Sequence, residues 1–218
     1  MAKAYTKAQI ALQRRFEVEA LAQVMSTAVI RSELSEADRS FVQARDMFFL
    51  ASVDSTGQPT CSYKGGDPGF VKVLDSRTLL FPIYDGNSMF LSAGNIVETS
   101  RVGMLFIDFE TPHRLRVEGI TEMQYDESHR SCFKDALLAV KVAVSSVYVN
   151  CPRYVHKYAR INSSKYVPRA DQDTPFAQWK RLDVFQGALP QRDAEKVAGS
   201  GGSLAVDEYR QKLARGDA

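Results

Sequence analysis

The clearest structural pattern in the chain is Met47-Phe48-Phe49-Leu50-Ala51-Ser52-Val53, followed by Asp54-Ser55-Thr56-Gly57-Gln58-Pro59. The first part is apolar apart from one serine, which is typical of a β-strand with a buried face. The second part consists mainly of turn-forming residues, and Thr60-Cys61-Ser62-Tyr63 beyond it is again strand-like. The sequence therefore predicts a β-hairpin here.

Strand patterns continue on the C-terminal side of this hairpin. Residues 47–150 contain about six or seven short strand patterns, separated by clusters of turn-forming residues. The later strands are predicted over residues 70–74, 78–83, 101–109, 113–124 and 140–149, with a β-bulge at Gly119. Such spacing is typical of a small antiparallel barrel with helices at its ends. The predicted fold class is therefore mainly β with flanking helices.

Helical patterns flank the strands. Apolar residues recur mostly at spacings of three or four over residues 7–31, which predicts one amphipathic helix. Ser35 and Asp38 form a helix-start signal for a second helix that ends near Asp46. Further short helices are predicted over residues 94–100, 126–138 and 204–215.

These patterns divide the chain into three parts. Residues 1–34 form an N-terminal helical extension, residues 35–160 form the barrel, and residues 161–218 form a C-terminal extension. The last part is poorer in apolar residues and contains Ala198-Gly199-Ser200-Gly201-Gly202-Ser203, which has the composition of a flexible linker.

The composition argues against several classes of protein. A net charge of +2 over 218 residues gives no bulk attraction for nucleic acid. No apolar run approaches the roughly 18 residues of a membrane span, and Met1–Thr6 lack the apolar core of a secretory signal. Cys61, Cys132 and Cys151 are odd in number and widely spaced, which fits a reducing compartment. We expect a cytoplasmic protein that binds neither nucleic acid nor a membrane.

The common catalytic motifs are missing from the sequence. His113, His129 and His156 have no histidine or cysteine at zinc-ligand spacing, so we expect no metal site. There is no nucleophile elbow, no P-loop and no Gly-x-Gly-x-x-Gly after a strand. Catalytic residues therefore stay unknown at this stage.

One loop has the chemistry of an anion-binding segment. Phe81-Pro82-Ile83-Tyr84-Asp85-Gly86-Asn87-Ser88 follows a predicted strand and continues through Met89 to Asn95. Its asparagine and serine side chains are neutral donors, and glycine lets a backbone N–H approach a ligand closely. The same composition also suits an ordinary loop, so both interpretations stay open.

Four segments carry a resemblance to a known family: 48–54 with Gly57-Gln58-Pro59, Leu80-Phe81-Pro82, 100–106 and 114–119. In this order they resemble the strands of the pyridoxamine 5′-phosphate oxidase-like family, the FMN-binding split barrels. The resemblance covers residues 35–155. Tyr63–Val71 and Asn150–Tyr154 indicate a branch distinct from the true pyridoxamine phosphate oxidases.

The resemblance implies an antiparallel split β-barrel with FMN held at a homodimer interface. Ser62 lies where the oxidases have an arginine that contacts the phosphate or ribityl group, and Lys64 is expected to supply the missing cation. In the family, the backbone of one strand runs along the flavin ring, and this strand corresponds to Phe81, Pro82 and Ile83.

The phosphate loop departs from the family pattern. Leu91 and Ser92 lie where the oxidases have an Arg-Lys pair, and a leucine side chain cannot replace either cation. Neutral donors are therefore expected to compensate: Asn87, Ser88, Ser92 and Asn95.

Two groups of residues have open roles under this resemblance. Arg114 lies where a flavin-contacting glutamine is found, and a cation there would stabilise the reduced anionic flavin. Arg114 and Arg116 could instead be solvated or pair with Glu118. Under the resemblance, a further group lines either the substrate side of the flavin or the dimer interface: Arg153, Tyr154 and His156.

The predicted function is that of an FMN-dependent oxidoreductase. Hydride would pass from a reduced donor such as NAD(P)H to an acceptor that the sequence does not identify. The alternatives are a non-catalytic flavin- or haem-binding protein on the same barrel, and a deazaflavin-dependent reductase.

Overall fold

The computed structural model describes residues 4–217. Residues 1–3 and Ala218 lie outside the described residues. The prediction that Met1–Thr6 lack a secretory signal therefore falls partly outside them. The chain divides into two compact units, Met1–Ser163 and Ser164–Ala218. Within the described residues, no helix has both the length and the apolar character needed to cross a membrane.

The first unit is built on one antiparallel sheet. Its seven strands are β1 (Met47–Val53), β2 (Pro59–Gly65), β3 (Lys72–Asp75), β4 (Thr78–Tyr84), β5 (Arg101–Asp108), β6 (His113–Gln124) and β7 (Ala136–Asn150). Their order across the sheet is β2-β1-β5-β6-β7-β4-β3, and every pair of neighbours is antiparallel. The sheet does not close, so the predicted antiparallel split barrel is confirmed.

Phe48 shows how strongly the sheet curls. β1 and β4 are four strand spacings apart in the sheet, which would separate them by about 19 Å if the sheet were flat. Yet the ring of Phe48 meets the ring of Phe81 on β4 edge-on, with centroids 5.3 Å apart. The Phe48 ring also packs against Phe70 and Phe106 at 5.8 and 5.2 Å. These four phenylalanines form the centre of the apolar core.

The connection between β2 and β3 also requires a curled sheet. These two strands are the outer edges of the sheet, and about 29 Å would separate them in a flat arrangement. The connection Gly66–Val71 could reach only about 24 Å even if fully extended. Phe70 and Val71 enter the core from this connection, and a Cβ on Gly66 would lie 2.4 Å from the Phe70 ring. Glycine is therefore required where the connection turns inward.

The longest strand pair carries the predicted bulge. β6 and β7 pair from Arg114↔Asn150 to Gln124↔Ala139, with a register shift between Glu118 and Gly119. A Cβ on Gly119 would lie 2.5 Å from Val142 and 2.8 Å from the backbone of Ala143. The bulge at Gly119 is confirmed, and it exists because only glycine allows this close approach.

The N-terminal helical region differs from its prediction. Residues 7–31 were predicted as one helix, but the structure has α1 (Lys7–Arg15) and α2 (Glu19–Ala28), separated by a turn. Glu17 has a left-handed φ of 57°, which a continuous helix cannot contain. The helix α3 (Glu36–Gln43) begins at the predicted Ser35 cap, where Ser35 and Asp38 form a capping box.

Two other helical predictions had different outcomes. The helix predicted over 126–138 is wrong, because only α5 (Glu127–Arg130) forms and Ala136 already pairs with Tyr84 in the sheet. Tertiary strand pairing overrides the local helical pattern there. The short helix predicted near 94–100 is confirmed as α4 (Leu91–Thr99), which begins earlier than expected.

The second unit is more structured than its composition predicts. It contains two 3₁₀ segments (Gln178–Arg181, Asp183–Ala188), α6 (Gln191–Gly199) and the predicted final helix, α7 (Val206–Arg215). Lys180 is buried and its Nζ lies 2.7 Å from Oδ2 of the buried Asp193. Arg181 donates to the carbonyls of Gly201 and Gly202. The glycine-rich segment is therefore held inside this unit and does not act as a flexible linker.

The core position of Phe48 leads to a stability prediction. We expect Phe48→Ala to lower the free energy of unfolding by about 3–5 kcal/mol, because it removes a ring that three other rings contact. Urea unfolding followed by circular dichroism measures this change. The matched control is Phe16→Ala at the C-cap of α1, where the residue is 67% exposed and its loss should change stability by less than about 0.5 kcal/mol. Equal effects of the two substitutions would contradict the assigned core.

Candidate functional site

The edge strand β2 turns a row of polar side chains toward the inside of the barrel. Leu50 pairs directly with Ser62, and Phe48 pairs directly with Lys64. Residues opposite each other in an antiparallel pair point to the same face of the sheet. Since Phe48 and Leu50 are fully buried in the core, Ser62 and Lys64 also point inward.

Helix α4 covers this polar row. Asn95, only 7% exposed, donates through Nδ2 to Oγ of Ser52 at 3.0 Å and to Oγ1 of Thr60 at 3.1 Å. The two hydroxyls also lie 3.0 Å apart. The amide of Asn95 thus fastens α4 to the first hairpin, so its donors are already used within the protein. Its predicted contact with a phosphate stays a prediction.

Lys64 connects the strand to the first turn of α4. Its Nζ donates to Oγ of Ser92 at 2.9 Å. Burial lowers the pKa of Lys64, because the surroundings disfavour the charged form. The sequence placed both residues at the phosphate end of the site, and the structure brings them together.

Ser62 supplies a buried hydroxyl with no partner. Its Oγ is shielded from solvent and forms no hydrogen bond within residues 4–217. Leaving such a group unpaired costs about 1–3 kcal/mol. An anion placed between Ser62 and Lys64 could accept hydrogen bonds from both. We call Ser62, Lys64 and Ser92 the polar cluster.

The start of α4 adds further donors beside the polar cluster. Phe90 occupies the N-cap position with a left-handed φ of 51°, and its side chain makes no capping bond. Ser88 is also left-handed, with φ of 63°. Non-glycine residues adopt this conformation at a cost, and it is frequent at binding loops. The uncapped N–H groups of the first turn carry the positive end of the helix dipole, which favours an anion.

Asn87 and Ser88 lie in the exposed loop before α4. Oδ1 of Asn87 accepts from the backbone N–H of Met89 at 3.1 Å, which stabilises the loop itself. Within residues 4–217, neither side chain forms a hydrogen bond with the polar cluster. The structure therefore does not bring these two predicted ligands into it.

Phe81, Pro82 and Ile83 are buried in β4. Phe81 and Ile83 belong to the main core, so their side chains fill the barrel. The strand pairs with β7 at Phe81↔Val140, Pro82↔Ala139 and Ile83↔Leu138. Any flavin contact made by Phe81 and Ile83 must therefore use the backbone, as the family resemblance implied.

Arg114 lies on the other face of the sheet. It pairs with Ile107 on β5, whereas the next residue, Leu115, points into the core. β1 and β5 separate its strand from β2. One small ligand therefore cannot touch Lys64 and Arg114 of the same chain. Nη2 of Arg114 donates to the carbonyl of Cys151, while its buried Nε has no partner within the described residues.

The sequence prediction missed Thr60 and Ser52. The signal was present, since Thr60, Ser62 and Lys64 alternate with the exposed Cys61 and Tyr63 along an edge strand. Polar residues at period two opposite a buried strand indicate a polar inner face once the hairpin register is known.

The described residues contain no group of three or more histidine, cysteine, aspartate or glutamate side chains that could hold a metal ion.

A shallow pocket of about 520 Å³ lies at the base of α2 and is lined by residues 26–27 and 30–35. None of the polar cluster residues lines it.

The residues present fit a phosphate group. They offer one cation, two hydroxyls, of which that of Ser62 has no partner, and an uncapped helix start. Hydrogen bonds in which one partner is charged are the strong ones, and phosphate oxygens accept them well.

Comparison with known proteins gives one family match. The family model described as pyridoxamine 5′-phosphate oxidase matches residues 34–143, which is just over half of the chain. No curated protein sequence matches the chain.

Similar solved structures resemble about half of the chain. HupZ from Group A Streptococcus is 15% identical, with a TM-score of 0.46, over 58% of this chain and 100% of that one. A Lactobacillus delbrueckii protein, provisionally described as a pyridoxamine 5′-phosphate oxidase, is 21% identical, with a TM-score of 0.44 over 54% and 95%. HutZ, the haem storage protein of Vibrio cholerae, is 19% identical, with a TM-score of 0.40 over 53% and 94%.

The contrast between Ser62 and Asn95 gives a prediction for the ligand-free protein. Ser62→Ala should leave the free energy of unfolding unchanged or raise it, because the hydroxyl it removes has no partner. Asn95→Ala should lower it by about 1–3 kcal/mol, because two hydrogen bonds between α4 and the hairpin are lost. Urea unfolding of both variants measures the difference. A loss in Ser62→Ala as large as that in Asn95→Ala would show that the hydroxyl is bonded after all.

Proposed function

Because the chain belongs to the pyridoxamine 5′-phosphate oxidase family, we propose that it is a flavoprotein that binds FMN with the phosphate at the polar cluster. The observation that carries this proposal is the hydrogen bond from Lys64 to Ser92 beside the unpartnered hydroxyl of Ser62. A buried polar group without a partner is costly, and a bound phosphate would satisfy it.

The phosphate end would be held by few but well-placed groups. Lys64 supplies the charge, and its pairing with Ser92 keeps the ammonium group aimed at the start of α4. The N–H groups of the first helical turn add partial positive charge. The leucine at position 91 removes one of the cations that the better-known oxidases use. We therefore expect FMN binding to depend strongly on Lys64.

The ring end of the flavin would lie along β4. The side chains of Phe81 and Ile83 keep this strand fixed from the core side. FMN, when bound, supplies hydride transfer, so the protein would act as an oxidoreductase between a reduced donor such as NAD(P)H and an acceptor. The chain's own part is to position the cofactor and to exclude water.

A homodimer would complete this site. Lys64 and Arg114 lie on opposite faces of the sheet in one chain. Arg114 can reach a flavin held by Lys64 only if a second copy presents its outer sheet face to the first. Met89, Phe90 and Leu91, next to the polar cluster, have large exposed apolar side chains that such a partner would cover.

The cysteines fit a cytoplasmic location, which we include in the proposal. Cys61, Cys132 and Cys151 are all free and exposed. Exposed thiols persist in a reducing compartment.

The absorption spectrum of the purified protein tests the proposal directly. Flavin bands, or their appearance after reconstitution with FMN, support it, and bleaching by NADH or NADPH supports turnover. A Soret band would instead indicate a haem-binding protein, and a bound deazaflavin would indicate the related reductases. A protein that stays colourless and cannot take up FMN would contradict flavin binding.

Substitution of Lys64 tests the polar cluster. We expect Lys64→Gln to raise the Kd for FMN at least about tenfold, because a charged hydrogen bond is worth about 1.5–3 kcal/mol. Quenching of FMN fluorescence measures the Kd. The matched control is Lys72→Gln on β3, an exposed lysine that should leave the Kd unchanged. Equal Kd values for wild type and Lys64→Gln would remove Lys64 from the site.

The pH dependence of FMN binding follows from the lowered pKa of Lys64. Phosphate favours the charged ammonium, so affinity is full below the pKa of the free protein and declines as pH rises above it. The decline should begin at lower pH than for an ordinary lysine. Titrations between about pH 7 and 10 measure it, since the phosphate stays a dianion over this range. In Lys64→Arg the decline should disappear, because arginine keeps its charge. An unchanged decline in that variant would assign it to another group.

A further inference from the structure

The two N-terminal helices expose large apolar side chains to solvent. In α2, Val24 and Met25 follow Leu21 at spacings of three and four residues, so the three side chains share one face. Leu12 lies one turn before Phe16, the C-cap residue of α1. The five residues are between 43% and 67% exposed. We call α1, α2 and the turn between them the arm, and these five side chains the apolar arm face.

Polar contacts hold the arm in a defined structure. The hydroxyl of Tyr5, just before α1, donates to the carbonyl of Ala22 in α2 at 2.8 Å. Nε of Arg14 lies 2.8 Å from Oε2 of Glu19, and this ion pair joins the two helices across the turn. Beyond α2, Arg31 pairs with strand β7 through its backbone. The arm is therefore joined to the barrel by polar contacts, which leave the apolar arm face exposed.

The arm has no apolar core of its own. Both helices lie wholly within the described residues, and Ser26 is their one buried residue. They have 9 and 10 residues, whereas isolated helices shorter than about 12–15 residues are marginal in water. Most of the stability of helices in proteins comes from packing of an apolar face. We therefore expect another surface to cover the apolar arm face.

The charge of the arm favours a neutral covering surface. Lys7, Arg14 and Arg15 are its basic residues, and Glu17 and Glu19 are its acidic residues, which leaves one excess positive charge. Helices that lie on a membrane surface are typically rich in lysine and arginine on their polar face. A second arm, which is apolar on the same face and nearly neutral, meets the requirement without strong repulsion between like charges.

The size of the apolar arm face suits contact between two copies. Its side chains together expose on the order of 500 Å², which is near the upper limit for a patch on an ordinary monomer. Two such faces in contact would bury on the order of 1,000 Å², the area that a specific interface requires. In a two-fold symmetric contact, both copies use the same patch, so one face is enough to form the whole interface.

We propose that the arm is a self-association element, whose apolar face packs against the arm of a second copy of this chain. Four short helices, two from each copy, would then bury their apolar faces in a common bundle. The contact requires neither bound FMN nor contact between the outer sheet faces.

Sedimentation equilibrium of Leu21→Lys tests this inference. We expect the Kd of self-association to rise at least about tenfold, because the substitution removes a buried leucine from the contact and places a charge there. Leu21 is exposed in the single chain, so an unchanged thermal transition would show that the variant is folded. The matched control is Leu213→Lys on α7, also exposed, which should associate like the wild type.

Two results of this experiment would overturn the inference. One is an equal Kd for the wild type and Leu21→Lys, which would place any interface outside the arm. The other is a wild type that stays monomeric throughout the concentration series.

Hydrogen exchange of α1 and α2 identifies the covering surface. In the wild type, protection of these helices should fall on dilution into the monomeric range, and in Leu21→Lys it should be low throughout. Protection that does not change on dilution would mean that the same chain covers the arm. Protection that appears only with anionic lipid vesicles would indicate a membrane. Either result would overturn the inference, whereas failure to bind FMN with concentration-dependent protection would support it and contradict only the flavin site.

Discussion

The edge-on contact between the rings of Phe48 and Phe81 determines the shape of the sheet. It brings together two strands that are far apart in the sheet, so the sheet must curl around its core. Once the sheet curls, the inner face of the edge strand β2 is covered by α4 rather than by solvent. The position of Lys64 beside Ser92 is therefore a consequence of how the phenylalanines pack. A flat sheet would leave the same side chains without partners.

The polar cluster departs from what stability alone would select. A lysine that burial makes less basic, an unpaired hydroxyl and two left-handed residues near the start of a helix each cost free energy. The surrounding core of β1, β4 and β5 can offset these costs because it is continuous and well packed. Concentration of such features in one place is typical of a binding site, since a ligand removes several of the costs at once.

Local signals in the sequence predicted much of the fold. The helix start at Ser35 was predicted correctly because capping depends on residues that are near in the sequence. The bulge at Gly119 was predicted correctly because it depends on the missing side chain of a single residue. The break at Glu17 and the strand at Ala136 were missed because packing and strand pairing decide them. The sequence grouped Ser62, Lys64 and Ser92 with Arg114, but strand register puts Arg114 on the opposite face. Register depends on pairing across the sheet, which a single strand pattern does not reveal.

The inward direction of Lys64 has a consequence for the behaviour of the chain in a crowded solution. β2 is the outermost strand of its sheet, and a free strand edge can template pairing with another molecule. A charged side chain that points inward from such an edge makes this pairing unfavourable, because a second strand would bury the charge. The side chain that we expect to hold a phosphate therefore also protects newly made, ligand-free chains from aggregating through their edges.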